Sequence, residues 1–563
     1  MNYFLLYFFT LLIVFSTIGY GFLLSRIVNK DLIEFNLGYI GLLGLLSLTI
    51  ISYITIFFTS HNYMHNLILH FIGIFLFICN IRSLKLDKEV LKLLILFSIL
   101  FLGMLIIRNH DDFNYYHFTY SYGLTQNKLM LGLGNFQHGY KHHSSLFFFN
   151  SITYLPFIKF YLFHAVGWIT FLFTNFIILK FILQKKNLKE FSFKLIFYII
   201  TFLFINVKFA RVGGYGTDIS GQLIMFILLP LIYSSLVKKE LKSNLDLSIL
   251  LISYVTTLKA FFILNFLFLF SYFFFFKIKD LIKYFLNTKS ILISFFTLSL
   301  LISINISYTG CAIYPIKKTC FFENISWTIS EKHVEHLSKW YEIWSKSGAG
   351  PNYGVEDPLI YIQKFNWVSN WYERYFEYKG YETLIGIIVI FILLSIIFYS
   401  KNIKPPKKID KKIISTLYIL SFILLFEWFY NRPSLRYGGY YLFCFFFFIP
   451  FSYFISRYKL DYKRIRTSVV SLIIISFLIF NIKNISRINK EQNMFKNNKD
   501  NIFPLYYAPI QTYKTVELEE NINVYVPTSG DGCYVTKTPC VAGADHMYAK
   551  RMLGFIAFIR KNK

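Results

Sequence analysis

The residues best suited to chemistry in this sequence lie between positions 108 and 145, directly after a long apolar run. Two adjacent carboxylates, Asp111 and Asp112, stand near the start of this segment, and Tyr115 and Tyr116 follow them. The segment also holds five of the twelve histidines of the chain, which are His110, His117, His138, His142 and His143. Such a density of polar side chains in an apolar chain marks a candidate functional site.

A carboxylate pair is suited to general-base catalysis, because a carboxylate can accept the proton of an incoming hydroxyl group. Adjacent carboxylates repel each other, so we expect the pKa of one to be raised while the other stays ionised. We therefore predict Asp111 and Asp112 as the catalytic residues. If the segment is helical, Tyr116 and His117 lie near the same pocket and are expected to bind substrate. The alternative is a solvated polar loop without chemistry.

The histidines raise the question of a metal ion. His138 and His142 are four residues apart, so a helix would place both on one face, where they could share a divalent cation. If a metal is present, we expect Asp111, Asp112, His138 and His142 as its ligands. The sequence leaves metal dependence open, and it indicates no other cofactor.

The composition indicates a helical membrane protein, since 55% of the 563 residues are hydrophobic. Apolar runs of about 17 to 25 residues recur along the chain, and each is long enough to cross roughly 30 Å of hydrocarbon. We predict an all-α polytopic fold with about 14 transmembrane helices, and about 12 as the lower bound. The spans are expected near 3–25, 37–58, 66–81, 93–107, 164–183, 192–207, 219–237, 246–258, 261–276, 290–308, 383–400, 413–430, 440–456 and 467–482. The short pair 246–258 and 261–276 also fits a re-entrant hairpin.

The net charge of +28 does not indicate nucleic-acid binding, because the basic residues are concentrated in short loops between the expected spans. Seven alternate loops carry 28 Lys or Arg in all. By the positive-inside rule these loops are cytoplasmic. The loops 108–163 and 309–382 and the tail 483–563 are then extracytoplasmic. Residues 1–482 are predicted to form the membrane domain, and the tail a small outer appendix.

Cysteine usage agrees with this topology. Two close pairs fall in the segments that we predict to lie outside, namely Cys311 with Cys320 and Cys533 with Cys540. Such pairs are typical of disulfides in an oxidising compartment. A zinc site is the alternative, although the C-x8-C and C-x6-C spacings do not match the usual zinc ribbons.

The outer loop 309–382 contains five of the seven tryptophans, namely Trp327, Trp340, Trp344, Trp367 and Trp371. One interpretation is an aromatic belt at the membrane interface. The other is a stacking surface for sugar rings or for a lipid-linked substrate.

An enzyme on the outer face has no ATP or sugar nucleotide available, so its activated donors are lipid-linked. A donor with a phosphate leaving group requires cations. Lys259 lies between two short apolar segments, and Arg436 lies in the outer turn NRPSLRYGGY. We predict that both bind substrate phosphate. The alternative is that they form ion pairs with Asp218 or Glu427 that hold helices together.

Four motifs, DDFNYYH, GLGNFQHGYKHHSS, PSLRYGG and GDGCYVTKTPC, resemble a bacterial family of GT-C-like membrane proteins. The many-span architecture with an acidic motif in an outer loop is also similar to the GT-C glycosyltransferase superfamily. The resemblance implies functional roles for Asp111 or Asp112, Tyr116, His117, Asn135, His138, Ser144, Ser145 and Arg436.

The resemblance implies an integral protein of the bacterial inner membrane that takes part in cell-envelope polysaccharide synthesis. It would move a sugar from a polyprenyl-phosphate donor to an acceptor at the outer face, with membrane lipids and the lipid-linked donor as its partners. Two alternatives remain, which are an O-antigen ligase or polymerase and a non-enzymatic flippase or transporter of lipid-linked saccharide.

Overall fold

A computed structural model describes residues 2–105, 112, 116–214, 217–348, 355, 357–405, 408–494, 510–529, 532–541, 543–544 and 546–561. Asp111, like its neighbours His110 and Tyr115, lies outside the described residues. The described chain is mostly helical up to residue 494, and two small β-hairpins follow.

The α-helices run in chain order as α1 (Asn2–Val28), α2 (Leu37–Thr55), α3 (Tyr63–Leu84), α4 (Asp87–Leu100), α5 (Phe118–Gln126), α6 (Ser145–Ile152), α7 (Ala165–Ile182), α8 (Lys185–Glu190), α9 (Phe193–Lys208), α10 (Thr217–Lys238), α11 (Lys242–Leu258), α12 (Ile278–Asn287), α13 (Lys289–Thr309), α14 (Glu331–Lys346), α15 (Pro358–Tyr361), α16 (Val368–Trp371), α17 (Tyr381–Ile397), α18 (Lys408–Asn431), α19 (Tyr440–Ile455) and α20 (Tyr462–Met494).

Within the described residues, ten helices are long and apolar enough to cross a membrane. They are α1, α2, α3, α7, α10, α13, α16 continued through α17, α18, α19 with the turn before it, and α20. Each overlaps an expected span, although the helix Val368–Ile397 begins within the segment 309–382 that was predicted as a loop. The overlap confirms the prediction of a polytopic helical membrane protein. Apolar side chains favour hydrocarbon over water, and a helix satisfies its own backbone hydrogen bonds there. Apolar segments of this length therefore form membrane-spanning helices.

Four shorter elements occupy the other expected spans. They are α4, α9, α11 and a 3-10 helix over Ala260–Phe274. The chain between α11 and this 3-10 helix is a single residue, Lys259, with an extended backbone at φ −153°. The break falls at the junction where the sequence favoured either two short spans or a hairpin.

Irregular backbone is concentrated next to the candidate site. Residues Tyr372–Gly380 form a wide π-type helix between α16 and α17. Before α19, residues Leu435–Gly439 form a kinked turn in which Gly438 has φ +85°, a left-handed conformation that glycine adopts without strain. Irregular backbone in a membrane-spanning segment is tolerated where it is buried in protein or lines a cavity.

The tail forms two antiparallel hairpins, β1 (Tyr513–Leu518) with β2 (Ile522–Pro527) and β3 (Met547–Met552) with β4 (Phe555–Arg560). The strand expected in INVYVP is β2. Disulfides join Cys311 to Cys320 and Cys533 to Cys540, which confirms the predicted pairs. The two remaining cysteines, Cys79 and Cys444, are free thiols on α3 and α19.

Candidate functional site

Arg436 lies at the centre of a charged cluster built from four distant parts of the chain. Its Nε donates a hydrogen bond of 2.6 Å to Oδ2 of Asp218, and its Nη2 donates to Oδ2 of Asp112. Lys259 Nζ lies 3.8 Å from the other oxygen of Asp218. The structure therefore brings together three sequence-predicted site residues, Asp112, Lys259 and Arg436.

Helix α10 holds the turn that carries Arg436. Asp218 and Gln222 are four residues apart and share one face of the helix. The buried Gln222 amide donates to the carbonyl oxygen of Arg436 at 3.1 Å and accepts from the backbone N–H of Tyr441 at 3.3 Å. Asp218 thus orients the guanidinium group while Gln222 fixes the backbone of the same turn.

Lys259 reaches the cluster because the 3-10 helix packs closely on α10. Gly221 permits this contact, since a Cβ atom added there would lie 2.3 Å from Cε2 of Phe262. The extended backbone of Lys259 directs its side chain to Asp218, one turn before Gly221 on α10. An ammonium group between two apolar helical segments requires such a carboxylate partner.

The members of the cluster differ in their access to solvent. The Asp218 side chain is 4% exposed, whereas those of Asp112, Arg436 and Lys259 are 27%, 28% and 17% exposed. Asp218 is therefore a buried anchor for both cations. The other three groups are accessible to water and to a ligand.

A second polar group consists of His138, His142 and Tyr341, which lies on α14. The Tyr341 hydroxyl lies 2.6 Å from Nε2 of His142 and 3.2 Å from Nε2 of His138. The two Nε2 atoms are themselves 3.2 Å apart. Within the described residues, no three His, Cys, Asp or Glu side chains form a group that could hold a metal ion. Since Asp111 lies outside them, the metal prediction stays open.

Burial keeps these histidines uncharged at neutral pH. It lowers the pKa of His138 to about 4, and the positive charge of Lys141 acts in the same direction. Burial also lowers the pKa of His142 well below its usual value, with His138 as a further cause. A neutral imidazole has one donor and one acceptor nitrogen, so these rings can share hydrogen bonds with Tyr341 and with a ligand.

The depressed histidine pKa values predict a loss of stability in acid. An unfolded histidine binds a proton below about pH 6.5. The folded His142 does so only at much lower pH, so the unfolded state is favoured as the pH falls from about 6.5 towards 4. We expect the melting temperature of purified protein to fall over this range, and to fall less in His142→Gln. The exposed His336 provides the control His336→Gln, which should follow the wild type.

The remaining predicted residues surround the two groups. Tyr116 is buried, and burial raises the pKa of its hydroxyl well above the usual value, with the charge of Asp112 as the next cause. The ring of His117 lies 4.4 Å from that of Tyr116. Asn135 donates to the carbonyl oxygens of Trp327 at 2.8 Å and Phe558 at 3.3 Å, so it joins three segments.

The serines of the resemblance have a visible local role. Ser144 caps α6 by accepting a hydrogen bond from the N–H of Leu146 at 3.3 Å. Ser145 accepts one from the hydroxyl of Thr257 at 2.9 Å, near the end of α11. These contacts fix α6 against the helix that leads to Lys259.

The tail packs directly on the residues that precede the histidine pair in the chain. Leu131 and Ala557 form a parallel bridge, with hydrogen bonds from Leu131 N–H to Ile556 O of 2.9 Å and from Phe558 N–H to Leu131 O of 3.0 Å. Asn127 donates to the hydroxyl of Thr538 at 2.6 Å. The tail therefore supports residues 127–135.

An apolar cavity of about 300 Å³ lies close to the charged cluster. Its lining includes Trp371, Tyr375, Phe426, Trp428 and Leu435. The hydroxyl of Tyr375 accepts a hydrogen bond of 2.7 Å from the N–H of Leu435, the residue before Arg436. The cavity thus borders the turn that carries the guanidinium group.

Two residues of the site were not predicted for their present roles. Asp218 was considered only as a partner in a structural ion pair, although its position after the turn RVGGYGT at the start of a span was a usable signal. Tyr341 gave no signal, because nothing in the sequence places α14 against the histidines.

The family model described as "Domain of unknown function (DUF8201)" matches residues 1–443. The chain belongs to this family. The match covers most of the membrane-spanning part and every member of the charged cluster. Neither a curated protein nor a solved structure matches the chain.

Proposed function

We propose that this DUF8201 protein is a GT-C-like glycosyltransferase. It moves a sugar from a polyprenyl-phosphate donor to an acceptor at the outer face of the bacterial inner membrane. The observation that supports this most is the convergence of a carboxylate, Asp112, with two cations, Arg436 and Lys259, in a solvent-accessible cluster. General-base transfer from a phosphate leaving group requires this combination of charges.

In the proposed reaction the donor phosphate binds Arg436 and Lys259. Competition for the guanidinium group frees Asp112, which then accepts the proton of the acceptor hydroxyl. The acceptor oxygen forms a bond to the anomeric carbon while the bond from that carbon to the phosphate oxygen breaks. The phosphate leaves with the bonding electrons as polyprenyl phosphate, and the two cations stabilise its charge.

The apolar cavity supports a lipid-linked donor. It lies among candidate membrane spans and borders Leu435, so a chain bound in it would place its phosphate close to Arg436. Apolar lining with polar groups at one end is the usual arrangement of a site for an amphipathic ligand.

We also propose that the four shorter elements cross the membrane, which gives fourteen spans and places the site outside. The 3-10 helix Ala260–Phe274 has 15 residues. At about 2.0 Å of rise per residue, a 3-10 helix of that length reaches roughly 30 Å, the thickness of the hydrocarbon core. The two disulfides and the basic loops support the same orientation.

The orientation predicts which thiols an impermeant reagent reaches. In intact, unreduced cells of a Cys79→Ala, Cys444→Ala variant, a cysteine introduced by Lys514→Cys, at an exposed position of β1, should react with a membrane-impermeant maleimide. A cysteine introduced by Lys401→Cys, in a basic loop, should be protected until the cells are lysed. Protection of the cysteine introduced at position 514 would contradict the proposed topology.

The proposed function is tested by replacing Asp111 and Asp112, one at a time, by asparagine in cells that make the chain naturally. Asn keeps the size of the side chain but cannot accept the proton. We expect Asp112→Asn to abolish a surface glycan that wild-type cells display, with protein still present in the membrane. The companion variant Asp111→Asn shows which carboxylate carries the reaction. Unchanged glycan in both variants would overturn the mechanism.

A further inference from the structure

We propose that Trp340 and Trp344 form a platform on which a sugar ring stacks beside the charged cluster. The inference rests on the proposed function and adds the residues that hold the saccharide. Among the tryptophans of the outer loop, these two lie on one helix next to both polar groups of the site.

The platform is built by the spacing of α14. Trp340 and Trp344 are four residues apart, so they share a helix face, and their rings are stacked with centroids 6.3 Å apart and planes at 22°. The ring of Trp344 lies 5.7 Å from that of Tyr437, the residue after Arg436. At the other end, Trp340 lies 6.2 Å from the ring of His138. A row of aromatic rings therefore connects the histidine pair to the turn of Arg436.

The other three tryptophans of this loop have structural contacts. Each donates a hydrogen bond from its indole N–H to a backbone carbonyl. The bonds are Trp327 to Ile306 at 3.0 Å, Trp367 to Lys364 at 3.1 Å and Trp371 to Pro433 at 2.7 Å. Trp367 and Trp371 are also buried. Trp340 and Trp344 make no such bond within the described part of the chain, and both are half-buried. Their rings are thus placed for contact with a ligand rather than for anchoring the loop.

A sugar ring suits this surface for chemical reasons. The C–H face of a pyranose is apolar and packs on an indole, while its hydroxyl groups need hydrogen-bond partners around the rim. Neutral His138 and His142 provide hydrogen-bond donors and acceptors at one end of the row of rings. Asp112 and Arg436 provide an acceptor and a donor at the other end. Tyr341, which lies between the two tryptophans in the sequence, holds the histidines against the same helix.

The saccharide belongs either to the acceptor or to the lipid-linked donor, and two probes separate these sources. The first is a pool of oligosaccharides released by mild acid from the surface glycan of cells that make the chain naturally. The second is the lipid-linked saccharide fraction of the same cells. Each is titrated into purified full-length protein in lipid nanodiscs, and isothermal titration calorimetry measures the affinity.

We expect one probe to bind the wild type, and Trp344→Ala and Trp340→Ala to weaken that binding about tenfold each, as for the loss of one aromatic contact. Phe321→Ala, which removes an exposed aromatic ring elsewhere on the outer loop, should bind like the wild type. Equal affinity in wild type and both tryptophan variants, or no binding of either probe, would overturn the platform. If the tryptophan variants weaken binding but Asp112→Asn leaves the surface glycan unchanged, the platform stands and only the transferase is rejected.

Discussion

Replacing Arg436 by alanine is expected to lower sugar transfer by roughly 100- to 1,000-fold, the usual effect of removing one charged group that stabilises a leaving or developing anion. The same change leaves Asp112 and Asp218 without the cation that joins them. The buried Asp218 then keeps only the more distant Lys259, at 3.8 Å, among its cation contacts in the described residues. We therefore also expect a lower melting temperature, because removing the hydrogen-bonded cation of a buried carboxylate is costly.

Arg436→Lys separates these effects. Lysine keeps the positive charge but lacks the fork that bonds two carboxylates at once. We expect it to recover most of the thermal stability and only part of the transfer, measured in membranes that contain equal amounts of each variant. If Arg436→Ala is as stable as the wild type and transfers sugar at the same rate, the cluster has no role in the reaction.

The second large effect is expected from Gly132→Ala, at the contact between the tail and residues 127–135. Gly132 has φ +71°, and an added Cβ atom would lie 2.2 Å from the carbonyl oxygen of Phe558 and 2.8 Å from Cβ of Trp327. Alanine therefore meets both backbone strain, about 1–2 kcal/mol, and a clash with backbone. We expect the contact with β4 to be lost and transfer to fall with it.

Gly554→Ala is the matched control for this variant. Gly554 has φ +77° but no atom within 4 Å of an added Cβ, so it isolates the cost of the left-handed backbone. Limited proteolysis of the tail in nanodiscs should show fast cleavage in Gly132→Ala and wild-type behaviour, or nearly so, in Gly554→Ala. Equal protection in both variants would show that the tail does not depend on the close approach at Gly132.

The membrane fold was predictable from the sequence because length and apolar composition alone identify a span. All ten long helices overlap expected spans for this reason. The unusual elements were not predictable in the same way. The 3-10 geometry of Ala260–Phe274 and the wide helix Tyr372–Gly380 depend on packing against neighbours, such as the contact of Phe262 with Gly221.

The site was predictable residue by residue but not as an arrangement. Charge at the end of a span is rare and costly, so Asp112, Lys259 and Arg436 were identifiable as candidates from their positions. Their common partner was not, because Asp218 has the same local signature as a structural ion-pair residue. The support from β4 was also hidden, since the contact of Leu131 with Ala557 joins residues more than 400 positions apart and leaves no periodic pattern.

The most direct test of the account uses purified protein and the lipid-linked saccharide fraction of cells that lack this gene. Wild-type protein in nanodiscs is mixed with that fraction and with acceptor-containing outer-surface glycan, and free polyprenyl phosphate is measured by mass spectrometry. We expect wild-type protein to release polyprenyl phosphate only when acceptor is present, and Asp112→Asn to release none above background. Equal release by the two proteins, or no release by the wild type, would contradict it.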